Sequence, residues 1–344
     1  MATCTDRNAM KWYPWLNDPY RKILAHYRKA HSDCALLLHS RPGNGEASLC
    51  YALSRWLICQ NREGTKSCRF CRSCRLMIAG NHPDFYQPKP EHGRESLGVE
   101  SIRAMIHEIY GRTPQGGVKV VCLPHVEQLT EQAAAALLKT LEEPPKGTYF
   151  LIGCQTPARL LPTLRSRCLY WPLPTPSDTL GLNWLRKAGY SDPISAHTAL
   201  RLSSNAPLAA ANLLQPSRWQ ARLALCSALK DALASNDFLV LLPTLNQDQD
   251  DAPVHWLLSL LTDALRWQQG ADRFLINTDR TSLVIALGGR CSSSVLHVQW
   301  QGWLQYFRQC QEIRGVNREL LLTHYLLSWE KNMNNYSTSL LGIS

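Results

Sequence analysis

Residues 40–47 have the spacing of a phosphate-binding loop but lack the groups that such a loop uses on ATP. In a working loop, G-x-x-x-x-G-K-[ST], backbone N–H groups hold the phosphates, the lysine neutralises them and the hydroxyl binds magnesium. Gly43 and Gly45 are present, but Ser40 stands at the first glycine position. Glu46 and Ala47 stand at the lysine and hydroxyl positions. Because a carboxylate repels a triphosphate, the sequence predicts a degenerate loop that does not bind ATP tightly.

The segments around the loop decide between a phosphate-type loop and an ordinary turn, which would also explain Pro42 followed by Gly43. An apolar strand pattern at 35–38 precedes the loop and a helical pattern at 49–57 follows it, which is the context that the motif requires. A second buried strand, 119–123, leads into Pro124 and His125, where ATPases of this kind carry Asp-Glu to manage magnesium and the attacking water. The sequence therefore predicts a nucleotide-binding scaffold without its chemistry.

Four closely spaced cysteines form a second candidate site. Cys59, Cys68, Cys71 and Cys74 follow the pattern C-x8-C-x2-C-x2-C, which suits tetrahedral coordination of a structural zinc ion by thiolates. Disulfides are the alternative, but the total of 13 cysteines is odd and the polar residues 1–8 do not resemble a secretory signal. Basic residues surround the cluster, and they either face DNA or a partner or form an ordinary solvated surface: Arg55, Arg62, Lys66, Arg69, Arg72 and Arg75.

Length and composition limit the possible classes of protein. A chain of 344 residues predicts two or three domains, and 45% hydrophobic residues are enough to form substantial cores. The net charge of +10 is compatible with nucleic acid or acidic partners, but it is spread along the chain and does not by itself establish DNA binding. Because no apolar run reaches 18 residues, we expect a cytoplasmic protein without a membrane span.

Strand and helix patterns alternate in the first half of the chain, which predicts a parallel sheet flanked by helices. The strand candidates are 35–39, 84–87, 118–123, 148–154 and 168–172, and the helical stretches lie near 46–60, 99–110, 130–143 and 156–164. Three prolines between 172 and 176 mark a linker.

Every segment after this linker reads as helical. Residues 178–214 are sufficient for a small three-helix domain, and 331–344 are polar and expected to fray. Six tryptophans in the last section are expected to belong to a helical core rather than to a platform for bases: Trp219, Trp256, Trp267, Trp300, Trp303 and Trp329.

Six stretches of the sequence resemble the clamp-loader branch of the AAA+ ATPases, over almost the whole chain from Met10. They are residues 12–16 (WYPWL), the four-cysteine insertion after the loop helix, 80–84 (GNHPD), 136–145 (ALLKTLEEPP), 164–168 (LRSRC) and 317–321 (NRELL). Within that branch, the missing lysine and Asp-Glu resemble the delta-prime family of bacterial DNA polymerase III rather than the ATP-hydrolysing motor subunits.

The resemblance implies the following architecture. Residues 1–174 would form an α/β domain of AAA+ type with a zinc module at 59–74. Residues 175–216 would form a small helical lid-type domain, and 217–344 an all-α collar that oligomerises.

The resemblance also implies a function. The chain would be a non-hydrolysing scaffold subunit that helps to load the sliding clamp onto primer-template DNA, in a hetero-pentamer with the ATPase motor subunit and the delta subunit. Arg167 in the Ser-Arg-Cys tripeptide would act as an arginine finger on the ATP of a neighbouring subunit, unless it is only a structural ion-pair residue. Pro207 would stand where hydrolysing relatives carry a sensing arginine.

Two other functions remain open at this stage. One is a weakly active ATPase motor subunit of the same machine with a rearranged site, which Glu46 and Ala47 disfavour. The other is a free-standing zinc-dependent DNA-binding protein, which would need a more concentrated basic surface than the sequence shows.

Overall fold

The structure is a computed structural model that describes residues 11–29, 35–90, 93, 96–115, 117–247, 251–312 and 315–340. Residues 1–8, for which the sequence predicts no secretory signal, lie outside this part of the chain. The chain forms two compact units that divide between Pro176 and Ser177, so the proline-rich linker marks a boundary. The finer predicted division of residues 175–344 stays a prediction.

The first unit contains a five-stranded sheet in which every strand pairing is parallel. The strands are β1 (Ala35–His39), β2 (Phe85–Tyr86), β3 (Lys119–Leu123), β4 (Thr148–Cys154) and β5 (Leu169–Pro172), in the spatial order β2-β3-β4-β1-β5. The predicted parallel α/β sheet is confirmed. β1 lies between β4 and β5, and it is the strand that leads into the candidate phosphate loop.

The first unit also contains helices, most of which pack against the sheet. They are α1 (Asn17–Lys29), α2 (Glu46–Ile58), α3 (Arg72–Ile78), α4 (Val99–Tyr110), α5 (Glu131–Glu142) and α6 (Pro162–Arg165). Side chains alternate across the strands, so Leu37 and Ile152 pack on one face with Ile102 of α4 and Leu137 of α5. Helix α2 packs against β3 and β4. The sheet therefore supports the helix that follows the candidate loop.

Two of the predicted elements are shorter in the structure. The helix expected near 156–164 is replaced by a 3-10 turn, Pro157–Arg159, and by the short α6. Each of these segments begins with a proline, which fits only the first turn of a helix and therefore interrupts a continuous one. The strand expected at 84–87 contains only Phe85 and Tyr86, because prolines at 83 and 88 limit the hydrogen bonding on either side.

The second unit is entirely helical in the part that the structure describes. Its helices are α7 (Asp178–Lys187), α8 (Pro193–Leu202), α9 (Pro207–Leu213), α10 (Pro216–Ser235), α11 (Leu242–Leu245), α12 (Ala252–Gln268), α13 (Thr281–Arg290), α14 (Ser293–Glu312) and α15 (Arg318–Leu340). One buried cluster extends from Leu185 to Met333, and all six predicted tryptophans are in it or pack against it. The expected fraying from residue 331 is wrong as far as 340, because α15 continues and Met333 is buried against Cys291.

A buried ionic network joins three segments of the second unit. The guanidinium of Arg222 in α10 is fully buried and donates to both carboxylate oxygens of Asp279, at 2.7 and 2.9 Å. It also donates to Oδ1 of Asn277 at 2.8 Å, and the ring of Trp219 covers it at 4.7 Å. Asn277 donates in turn to the buried carboxylate of Asp263 in α12. Such a network is stable only when every charge in it is paired.

Candidate functional site

The candidate phosphate loop has the local geometry that its spacing predicts. It follows β1 directly, and α2 begins at Glu46, immediately after Gly45. Gly43 and Gly45 have φ angles of 79° and 89°, in the left-handed region that favours glycine. The strand, loop and helix therefore occur in the order and with the backbone turn of a phosphate-binding site.

Glu46 occupies the first position of the helix and is only 7% exposed. The hydroxyl of Ser40 donates to its Oε2 at 3.4 Å. A negative charge at the start of a helix is stabilised by the unpaired N–H groups and the helix dipole there. The carboxylate therefore supplies internally the negative charge that a bound phosphate would supply, and it disfavours a second anion beside it.

Two aromatic residues, Tyr13 and Trp15, at the 3-10 turn that precedes α1, cover the loop. A Cβ atom on Gly45 would lie 2.9 Å from a ring carbon of Tyr13, so this ring rests directly on the glycine. The indole N–H of Trp15 donates to the carbonyl of Asn44 at 2.7 Å, and the two rings stack with centroids 5.1 Å apart. The Asn44 side chain donates to the carbonyl of Pro174. Sequence reasoning missed these contacts, because no local spacing links residues 13 and 15 to residues 44 and 45.

The segments that follow β3 and β4 are held together by backbone contacts. A Cβ atom on Gly153 would lie 2.1 Å from the Pro124 carbonyl oxygen, so only glycine fits there. The carboxylate of Glu127 accepts from the N–H groups of Gln155 and Thr156, at 2.5 and 2.8 Å. Burial raises the pKa of Glu127, but these N–H groups outweigh burial and hold the pKa below its ordinary value. Glu127, the first carboxylate after Pro124 in the sequence, thus binds the chain's own backbone.

The four predicted cysteine ligands lie together. The sulfur atoms of Cys59, Cys68, Cys71 and Cys74 are all within 4.8 Å of one another. The Cys59–Cys68 and Cys68–Cys74 sulfur distances are 3.6 and 3.9 Å. A disulfide would need about 2.05 Å, whereas four sulfurs at about 2.3 Å from one ion are separated by roughly 3.8 Å. All eleven cysteines that the structure describes are free thiols.

The surroundings of the cluster suit four thiolates around a cation. Backbone N–H groups of Cys68, Cys71 and Cys74 donate to sulfur atoms of the cluster, which stabilises thiolates. Burial raises the pKa of Cys71, but N–H donation from Cys74 and Gln60 outweighs it and lowers the pKa to about 6. Arg55, one helical turn before Cys59, has two buried guanidinium nitrogens without a hydrogen-bond partner. The four sulfur atoms are close enough together to hold one metal ion.

Arg167 lies at the rim of the sheet and is paired within the chain. Its Nε donates to Oε1 of Glu142 at 2.6 Å, and a terminal nitrogen contacts the same oxygen. The other terminal nitrogen donates to the carbonyl of Thr163 at 2.7 Å. The Arg167 and Glu142 side chains remain 29% and 47% exposed, so the guanidinium is accessible from solvent. The ion pair with Glu142 holds the guanidinium in one orientation. Because the pair is partly exposed, breaking it would cost little free energy.

Arg167 and the loop of the same chain lie at opposite ends of the parallel strands. The loop follows the carboxyl end of β1, whereas Arg167 precedes the amino end of β5, which runs parallel to β1. The five residues of β1 separate these two ends by roughly 17 Å. Arg167 therefore does not reach the loop of its own chain. Pro207, predicted to stand in place of a sensing arginine, is the first residue of α9 and is buried.

Within the described residues, no helix is both long and apolar enough to cross a membrane.

Comparison with known proteins gives matches along nearly the whole chain. Three family models match consecutive segments: "DNA polymerase III, delta subunit" at 17–177, "DNA polymerase III subunit delta', AAA+ ATPase lid domain" at 176–215, and "DNA polymerase III, delta subunit, C terminal" at 216–331. The DNA polymerase III subunit delta' of Yersinia pestis is 54% identical, over 96% of this chain and 99% of that protein. Those of Escherichia coli K12 and Buchnera aphidicola (Schizaphis graminum) are 42% and 34% identical, over 93% and 94% of this chain and 96% and 98% of theirs. The family resemblance seen in the sequence is thus confirmed, and the chain belongs to the DNA polymerase III subunit delta' family.

Proposed function

We propose that this chain is the non-hydrolysing scaffold subunit of the DNA polymerase III clamp loader. The observation that carries this proposal is the buried Glu46, which replaces the phosphate-neutralising lysine with a carboxylate. The contacts of Tyr13 and Trp15 with the loop add to it, because they occupy space beside the backbone that phosphates would approach. A rigid subunit without a nucleotide cycle can serve as a fixed support for subunits that move.

The same proposal assigns Arg167 to the ATP site of a neighbouring subunit. Arg167 lies at the opposite end of the strands from the loop of its own chain, which supports an action on a neighbouring subunit. The Ser-Arg-Cys tripeptide, part of the family resemblance, supports the finger role. A guanidinium is always charged and can donate two N–H groups to phosphate oxygens. To act in this way, Arg167 would exchange its Glu142 contact for a phosphate, which an exposed and weakly held ion pair permits.

The partners follow from membership of this assembly. They are the ATPase motor subunit and the delta subunit in a hetero-pentamer, with the sliding clamp and primer-template DNA contacted through the complex in the cytoplasm. Residues 217–344, which are helical in the part that the structure describes, would form the oligomerising collar.

We propose zinc as the ion of the four-cysteine cluster. Four sulfur ligands and the sulfur separations favour zinc, and with no position left for water the ion would be structural. Cys59, Cys68, Cys71 and Cys74 would hold it. The ion would fix the loop between α2 and α3 without taking part in phosphoryl transfer.

Protein purified without added metal is expected to contain about one zinc ion per chain. Replacing Cys71 or Cys74 with serine should release the ion and loosen the segment around α3, because ligand binding contributes folding free energy. Elemental analysis and proteolysis of this segment measure the two effects. Cys226→Ser, a buried thiol of the second unit, is the matched control and should keep the metal. A metal-free wild-type protein with an intact, protease-resistant segment would contradict the site.

The isolated chain is expected neither to bind Mg-ATP at micromolar concentrations nor to hydrolyse it. The reason is the repulsion between Glu46 and the triphosphate, together with the missing hydroxyl at Ala47. Calorimetric titration measures binding, with the motor subunit of the same clamp loader as the positive control. A saturable heat of binding at micromolar ATP would instead favour the alternative function, a weakly active ATPase motor subunit.

A further inference from the structure

The tip of the four-cysteine loop exposes an aromatic ring to solvent. Phe70 lies between Cys68 and Cys71, and 63% of it is exposed. The rest of the described chain leaves most of this ring uncovered. The cysteines on either side belong to the thiol cluster, which holds the backbone at residue 70 in place. A rigid, exposed ring is an available surface for a planar ligand to stack on.

The exposed surface around this ring is basic. Five cationic residues and one acidic residue, Glu63, lie between Cys59 and Ile78. The cationic residues are all exposed: Arg62, Lys66, Arg69, Arg72 and Arg75. Four thiolates and a divalent ion would contribute a net charge of −2, but their sulfurs are largely buried whereas the cationic groups are at the surface. The surface that a ligand meets is therefore positively charged.

Three of these cations have no other side-chain partner in the described part of the chain. Arg62 lies over the Trp56 ring and Arg75 donates to the carbonyl of Phe70. Within the ranges that the structure describes, the side chains of Lys66, Arg69 and Arg72 have no ion pair or hydrogen bond. They are free to bind an anion beside Phe70.

The backbone at Arg69 favours glycine rather than arginine. Its φ angle is 66°, in the left-handed region, where a residue with a Cβ atom is strained by about 1–2 kcal/mol. Glycine would adopt this backbone conformation without that strain. The Arg69 side chain is exposed next to Phe70 in the sequence, so it can reach a ligand that contacts the ring.

We propose that the tip of the four-cysteine loop binds single-stranded DNA. Arg69, Arg72 and Lys66 contact the phosphates, and an unpaired base stacks on Phe70. An exposed ring flanked by arginines is the combination with which proteins bind single strands without regard to sequence. An acidic protein surface would use the cations but not the ring, and paired bases are not accessible for stacking. The proposal does not depend on the ATPase chemistry of the chain.

Fluorescence anisotropy with the full-length chain and a labelled oligothymidylate tests this proposal. Phe70→Ala should weaken binding by about five- to 150-fold, the range for loss of one base–aromatic stack, and leave the salt dependence unchanged. Arg69→Gln with Arg72→Gln should reduce the slope of log K against log salt by about 1.4, since each phosphate contact contributes about 0.7. The matched control, Arg290→Gln with Arg308→Gln, removes two exposed charges from the second unit and should change neither quantity comparably.

Arg69→Gly separates binding from folding. Because glycine relieves the backbone strain, this variant should keep or raise the melting temperature and its metal content, yet bind the oligonucleotide more weakly. The proposal is overturned if the wild-type chain does not bind the oligonucleotide at low salt, or if Phe70→Ala and Arg69→Gly bind as tightly as the wild type. Equal effects of the second-unit control would overturn it as well. Binding of an acidic peptide but not of the oligonucleotide would identify a protein-docking surface instead.

Discussion

Arg167→Ala is expected to slow ATP hydrolysis at one site of the assembled clamp loader, while this chain remains folded and joins the complex. An arginine finger contributes on the order of 10³–10⁵ in rate at the site it serves. The overall ATPase activity should fall less, because the other sites keep their fingers. Clamp loading is the more sensitive measurement, in complexes of equal stoichiometry.

Two controls separate a finger from a structural ion pair. Glu142→Ala breaks the same ion pair but leaves the guanidinium free, so it should keep clamp loading near the wild-type rate. Arg103→Ala removes another exposed arginine that is paired with a glutamate, Glu100 at 3.2 Å, and should have no effect. If Glu142→Ala reproduces the defect of Arg167→Ala, or if Arg167→Ala loads clamps normally, the assignment of a finger is wrong.

Arg222→Met is expected to destabilise the second unit by about 3–5 kcal/mol, the cost of removing one member of a buried ion pair. The variant leaves Asp279 and Asn277 without the donor that satisfies them in the interior. Urea unfolding followed by circular dichroism measures the shift of the transition. Replacing Arg222 and Asp279 together with leucine should recover part of the loss, because the charge that then loses its partner is that of Arg280, which is 40% exposed to solvent.

Arg280→Met is the matched control for this network. Arg280 contacts the same Asp279 carboxylate, but at 3.7 Å and with a side chain that is 40% exposed. A partly exposed pair of this kind contributes about 0–1 kcal/mol. Similar losses for Arg222→Met and Arg280→Met would show that burial does not set the strength of this interaction.

Local spacing predicted the features of the site that depend on neighbouring residues. The phosphate-loop spacing placed Gly45 at the start of α2, and the cysteine spacing gathered Cys59 to Cys74 within one cluster. Both results follow from short segments whose geometry is determined by a few residues. The alternation of strand and helix patterns likewise predicted a parallel sheet, because parallel strands need long crossover connections.

Contacts between distant segments were not predictable in the same way. The strand order that puts β1 beside β5 depends on how the whole unit packs, as do the contacts of Tyr13 with Gly45 and of Arg167 with Glu142. The Arg222 network joins residues about 55 positions apart, and nothing in the sequence near 222 distinguishes it from an exposed arginine. The extent of α15 was missed for a related reason, because polar composition concealed the buried Met333.

The contact of the Tyr13 ring with Gly45 gives a structural reason for glycine at this position that does not involve a nucleotide. In a working phosphate loop, glycine leaves room for a nucleotide, whereas here a side chain would collide with Tyr13. Selection can therefore preserve the glycine through the stability of the fold alone. A motif search that reads Gly43 and Gly45 as signs of nucleotide use would misclassify such chains, and substitutions at Gly45 should appear in a genetic screen as low protein abundance rather than as a catalytic defect.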